Sequence, residues 1–103
     1  MLPELLNTTW IHVFEEDTPR GAMYWPDSAD IPLSRRPRRQ LELLPDGTAR
    51  VFEPDAGDRS RAHAATWQES GGELVIRVAA NPPRPAYELR VIEQASDHIV
   101  VSQ

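Results

Sequence analysis

Hydrophobic and polar side chains alternate along several short stretches of this chain. The clearest is 73–79, in which Leu74, Ile76 and Val78 share one face while Glu73 and Arg77 lie on the other. A period of two is typical of a β-strand that buries one face. Alternating or β-branched stretches predict seven strands in all, at 8–14, 39–44, 48–52, 60–69, 73–79, 87–91 and 98–102.

Turn-forming residues separate these predicted strands. Segments 45–47, 70–72, 81–85 and 95–97 are rich in Gly, Pro, Asp, Asn and Ser, and residues 2–6 fit one short helical turn. No segment with helical periodicity is long enough to connect parallel strands. The strands are therefore predicted to be antiparallel, with consecutive strands side by side.

An open sheet of these strands would have two edges with unpaired backbone N–H and C=O groups. Closure into a barrel removes open edges, which otherwise invite aggregation. We predict an all-β fold, an antiparallel up-and-down meander of about seven to eight strands closing into a small barrel with a short N-terminal helical turn. At 103 residues, 40% of them hydrophobic, the chain fits one globular domain spanning 1–103.

Residues 16–37 are predicted to form one long loop, since they contain four prolines and one glycine. Tyr24 and Trp25 stand out inside it, because large aromatic side chains in a polar loop need a surface on which to bury. They fit a lid over the barrel mouth, a contact with a partner, or an anchor for the loop itself.

Composition and charge exclude several classes of function. The chain has no cysteine, which excludes disulfides and thiol chemistry, and its formal charge of −5 disfavours nucleic-acid binding. The N-terminal residues lack a basic start, and no apolar run approaches the ~20 residues of a membrane span. We expect a cytoplasmic protein that does not enter membranes.

The order of landmarks resembles that of the lipocalin-like, or calycin, barrels. The resemblance rests on Leu5-Leu6-Asn7-Thr8-Thr9-Trp10 opening the first strand, on the long first loop, and on the segments 39–48 and 65–74. It implies a small barrel that binds an apolar ligand. Bacterial metalloprotease inhibitors also use a short lipocalin-like barrel, so the resemblance admits an inhibitor-like role.

Aromatic and histidine side chains provide the candidate ligand site. Trp10 and His12 share a face of the first strand, and His63 and Trp67 share a face of a later one. With the loop aromatics, the predicted ligand-binding set is Trp10, His12, Tyr24, Trp25, His63 and Trp67. Tryptophans that fill the core, each with its indole N–H bonded, are the alternative.

A run of arginines provides a second candidate site. Arg35, Arg36, Arg38 and Arg39 could bind an acidic protein partner, or they could be solvated loop charges paired with the chain's own carboxylates. The first hypothesis is thus a non-enzymatic binding module for a small apolar ligand. The alternative is a protein-interaction or inhibitor-like domain, and a monomer and a homodimer both fit the sequence.

Metal and catalytic chemistry have little support in the sequence. The histidines at 12, 63 and 98 lie on separate predicted elements without a ligand partner at motif spacing, so no metal or cofactor is expected. No turn of the kind that exposes a nucleophilic serine is present. An enzyme ranks last, and would require His12 and His63 to converge with a carboxylate in a cleft.

Overall fold

A computed structural model describes residues 5–35, 37–54 and 60–102 of the chain. It contains eight β-strands, which are β1 (Thr9–His12), β2 (Ala22–Pro26), β3 (Gln40–Leu43), β4 (Thr48–Pro54), β5 (Ser60–Ser70), β6 (Glu73–Val78), β7 (Tyr87–Gln94) and β8 (Ile99–Ser102). A 3-10 turn, Phe14–Glu16, follows β1. Residues 1–4 of the predicted N-terminal turn lie outside the described residues.

The eight strands form one closed antiparallel barrel, in the order β1-β2-β8-β7-β6-β5-β4-β3. This confirms the predicted all-β barrel. Strands β3 to β8 follow one another as neighbours, and β5 and β6 are joined by a tight turn at Gly71 and Gly72, where both residues have positive φ. The Gly-Gly pair suits this hairpin because glycine adopts positive φ without steric cost.

Two sequence predictions about the first part of the chain were wrong. Residues 16–37 are not one loop, because Ala22–Pro26 forms β2, and consecutive strands are not always adjacent, because β1 lies between β2 and β3. The prolines and the glycine near β2 are typical of loops, so the sequence pattern did not indicate a strand there. The strand is stabilised by tertiary pairing on both sides: Tyr24 is opposite His12 on β1 and opposite Ile99 on β8.

The two ends of the barrel differ in what fills them. One end, called the closed end, is plugged by the buried Leu5, whose carbonyl accepts a 3.2 Å hydrogen bond from Trp10 Nε1. The middle is packed by the inward-facing side chains of the strands, among them Leu41, Leu74 and Ile76, each at most 1% exposed. These buried side chains fill the middle of the barrel.

At the opposite end, called the open end, the inward-facing positions become polar. It is formed where β1, β4, β6 and β8 end and where β2, β3, β5 and β7 begin. Strand β2 ends at the closed end and β3 begins at the open end. The connection from β2 to β3 therefore runs along the length of the barrel. This connection contributes one wall of the site described below.

Barrel closure depends on a close approach between the residue before β2 and strand β8. A Cβ atom on Gly21 would lie 2.5 Å from the backbone carbonyl oxygen of Val101. Any side chain at this position therefore has to push the two strands apart.

Gly21→Ala should destabilise the protein by about 1–3 kcal/mol, since backbone atoms have to shift to admit the methyl group. Urea unfolding followed by tryptophan fluorescence measures this. Ser28→Ala, at an exposed position in the turn after β2, is the control and should change the free energy of unfolding by less than about 0.5 kcal/mol. A Gly21→Ala protein as stable as the parent would show that β2 and β8 are not in such close contact.

Candidate functional site

A cavity of about 530 Å³ lies at the open end. The strands contribute His12, Ala22, Tyr24 and Pro54 to its lining. The segments between strands contribute Phe14, Ser34, Pro37, Arg38 and Arg39. Its volume falls within the range of roughly 300–1,000 Å³ that is usual for small-molecule sites.

Aromatic rings form one continuous surface in this cavity. The His12 ring stacks on Tyr24 with centroids 5.1 Å apart and an interplanar angle of 24°. Phe14 meets the His12 ring edge-on at 6.3 Å, and its side chain is half exposed. Burial raises the pKa of Tyr24 to about 12, so its hydroxyl is neutral at ordinary pH. Because Tyr24 is only 1% exposed, His12 and Phe14 present most of the aromatic surface to the cavity, which Arg38 and Arg39 also line.

Asp17 fixes the orientation of the His12 ring. Its Oδ1 lies 2.9 Å from His12 Nε2 and also accepts a 2.9 Å hydrogen bond from the backbone N–H of Met23. The Asp17 carboxylate thus links the segment after β1 with strand β2. The stacked rings are consequently held in place before any ligand arrives.

Arg38 clamps the cavity wall to the 3-10 turn. Its Nη1 donates to the carbonyl of His12 at 3.0 Å, and its Nη2 donates to the carbonyl of Pro32 at 2.9 Å. Both nitrogens also bond to Glu15, at 2.9 and 2.7 Å, and the guanidinium lies 4.6 Å from the Phe14 ring centroid. With its side chain only 7% exposed, Arg38 acts as a structural clamp.

A second group of polar side chains lies beside the cavity and is called the Glu53 cluster, consisting of Arg39, Glu53, His63, Arg84 and Tyr87. Glu53 Oε1 accepts hydrogen bonds from the Tyr87 hydroxyl and, at 3.1 Å, from Arg39 Nη2. Glu53 Oε2 is 3.3 Å from His63 Nε2 and 3.6 Å from Arg84 Nε. One carboxylate therefore binds four neighbouring side chains.

The two arginines of the cluster also contact the Tyr87 ring. Their guanidinium carbons are 5.8 Å (Arg39) and 5.1 Å (Arg84) from the ring centroid. Arg84 Nη2 additionally donates to the Ala79 carbonyl at 2.9 Å and lies 3.1 Å from His63 Nδ1. Burial and the bond to Glu53 raise the pKa of Tyr87, so this hydroxyl remains a proton donor.

The structure divides the predicted ligand set among four places. His12 and Tyr24 line the cavity, and His63 belongs to the adjoining Glu53 cluster. Trp10 is buried towards the closed end, and Trp67 packs against the core while its Nε1 donates to the Leu44 carbonyl at 2.7 Å. Both tryptophans thus match the alternative of core residues with bonded indoles.

Trp25 lies apart from the other predicted ligand residues. It is opposite Ile11 in the β1–β2 pairing, one residue along from Tyr24, and successive side chains of a strand point to opposite faces. Because Tyr24 faces the interior, Trp25 is placed on the outer face of the barrel, where it is half-buried. The aromatic pair is therefore not a lid, since its members belong to a strand of the barrel wall.

The arginine run is also divided. Arg38 and Arg39 are paired with Glu15 and Glu53 inside the protein. Arg35 is exposed and does not line the cavity, and Arg36 lies outside the described residues. Binding of an acidic partner by the whole run remains a prediction from the sequence.

The histidines bond to different carboxylates. His12 pairs with Asp17 and His63 with Glu53, whereas His98 bonds to Glu93 and Asp97. Within the described ranges, no three His, Asp or Glu side chains are grouped as a metal site requires. The same residues include no helix long and apolar enough to span a membrane.

Three residues of the Glu53 cluster were missed in the sequence, namely Glu53, Arg84 and Tyr87. Glu53 and Tyr87 had a detectable signal, because they share the inward register of Ala49 and Val51 and of Leu89 and Val91, respectively. A polar residue that continues an inward-facing series marks the end of a core. Arg84 had no such signal, since it lies in a proline-rich connector.

Comparison with known proteins gave no further assignment: no family model, no curated protein and no solved structure matches this chain.

The Arg38 clamp should depend on pH through Glu15. Its hydrogen bonds to Arg38 lower the pKa of Glu15 from 4.5 to about 2, so the stabilisation is complete above pH 4.5 and is lost as the pH falls towards 2. Glu15→Gln should therefore be less stable than the parent protein at pH 7, and the difference should shrink between pH 4.5 and 2. Urea unfolding at pH 7, 4 and 2.5 measures it. Glu16→Gln, exposed on the same turn, is the control, and an equal loss in both variants would contradict the clamp.

Proposed function

We propose that this protein is a non-enzymatic binding module that holds a small molecule with a flat apolar body in the open-end cavity. The observation that carries the proposal is the stacked His12–Tyr24 pair, with Phe14 at its edge, inside a cavity of about 530 Å³. Aromatic planes of this kind pack against flat apolar ligands. The resemblance to lipocalin-like barrels supports the same function.

The position of the cavity limits the kind of ligand. Because Trp10, Leu41 and their neighbours fill the barrel, the ligand lies in the mouth rather than along the axis. The walls are also rigid: Pro37 and Pro54 have restricted backbones, and Arg38 fixes the connecting segment. A preformed site of this kind loses little entropy on binding a compact molecule.

The proposal can be tested with the neutral fluorescent probe N-phenyl-1-naphthylamine. Its emission should rise on binding, with energy transfer from tryptophan. Ala22→Leu places a larger side chain in the cavity lining and should weaken binding by at least about tenfold. The matched control is Ala64→Leu. Ala64 is an exposed residue of β5 that lines a separate surface groove, so this change should leave the affinity for the probe unchanged.

A reversed pattern, with binding lost in Ala64→Leu and kept in Ala22→Leu, would place the ligand in the outer groove and overturn the proposal. Absence of binding to the parent protein would also contradict it. Should Ala22→Leu fail to fold, Phe14→Ala serves instead, because this half-exposed side chain borders the cavity without belonging to the core.

A second candidate function is a protein-interaction domain. Its support is the side chain of Leu33, which is fully exposed on the connecting segment two residues before the exposed Arg35. Native mass spectrometry of protein purified from its host should then show a bound protein that is lost from the Leu33→Ser, Arg35→Gln double variant. A partner that remains bound to the double variant would place the interface elsewhere.

A further inference from the structure

The Glu53 cluster contains more positive than negative charge. Within the described residues it has two guanidinium groups, Arg39 and Arg84, and one carboxylate, Glu53, with 15% of the Glu53 side chain exposed. Groups held partly away from water favour charge balance, so one unit of positive charge is left without a counter-charge in the cluster.

Two other described carboxylates near the cavity, those of Glu15 and Asp17, are already bonded. Both carboxylate oxygens of Glu15 accept hydrogen bonds from Arg38. Asp17 is bound to His12 and to the N–H of Met23 at the rim. In addition, Arg84 Nε is buried and has no hydrogen-bond partner among the described residues, which shows that Glu53 alone does not satisfy both arginines.

Arg39 connects this cluster to the cavity. Its guanidinium donates to Glu53 on one side, while the residue also lines the cavity beside Tyr24. Its side chain is 30% exposed, which leaves a surface that a molecule in the cavity can reach. The flat aromatic surface and a cationic group are therefore parts of one cavity.

From this arrangement we infer that the cavity selects a singly charged anion: an aromatic or similarly flat body lies on the His12–Tyr24 surface, and a carboxylate or sulfonate group lies against Arg39. The inference rests on the proposed function and specifies its ligand class. Arginine suits such a group because its planar fork of N–H donors matches two oxygen acceptors.

The test compares two probes that differ by one charged group. 8-Anilinonaphthalene-1-sulfonate is N-phenyl-1-naphthylamine with a sulfonate added. The sulfonate probe should bind at least about tenfold more tightly than the neutral one at low salt, because a hydrogen-bonded charge pair at a partly desolvated site stabilises the complex. Raising the salt concentration should weaken only the sulfonate probe. Benzoate should displace it at a lower concentration than benzamide.

Variants then locate the charge. Arg39→Gln should weaken binding of the sulfonate probe by about tenfold and leave the neutral probe nearly unchanged. Arg39→Lys should retain much of the difference between the probes. Glu53→Gln should tighten binding of the sulfonate probe, since it removes the competing carboxylate. The matched control is Arg35→Gln, an exposed arginine of the same run outside the cavity, which should have no effect.

The outcomes separate the two proposals. If neither probe binds, the proposed function fails. If both bind with equal affinity, or if Arg39→Gln binds the sulfonate probe as the parent does, the function stands and the anion inference is overturned. Circular dichroism and a thermal transition check that each variant is folded. Should Arg39→Gln not fold, a salt-independent affinity of the parent protein for the sulfonate probe would still overturn the inference.

Discussion

Pairing of β2 with β1 and β8 is the interaction on which the rest of this structure depends. Without β2 the remaining strands would form an open sheet with β1 and β8 as its edges. Closure buries Tyr24 in the interior, brings it against His12, and requires a glycine at residue 21 because the β8 backbone lies so close. Because of the same closure, the connection from β2 to β3 runs from one end of the barrel to the other. Residues of this connection line one side of the cavity.

The size of the barrel explains why its site is at the rim. Eight short strands enclose a space just wide enough for side chains to fill, and Leu5, Trp10 and the inward leucines, isoleucines and valines are buried in it. At the open end the inward positions become polar, as at Glu53, His63 and Tyr87. Such groups keep access to solvent, and their bonding needs are met by one another.

Electrostatics at the open end follow from how the arginines are distributed. Both terminal nitrogens of Arg38 are bonded to Glu15, so this arginine has a structural role. Arg39 shares Glu53 with Arg84 and lines the cavity, so it is the cation that the proposed ligand would meet. Neighbouring arginines in the sequence therefore have different roles, because successive positions of the chain face different partners.

The sequence by itself determined the all-β class, seven of the eight described strands near their observed places, and their antiparallel pairing, because periodicity and turn residues act over a few neighbouring positions. It also identified His12 and Tyr24. Only the tertiary structure decided that Ala22–Pro26 is a strand, that Trp25 faces outward, and that Arg39, Glu53, Arg84 and Tyr87 meet. Those contacts join residues far apart in the chain, so they arise from barrel closure and have no local pattern in the sequence.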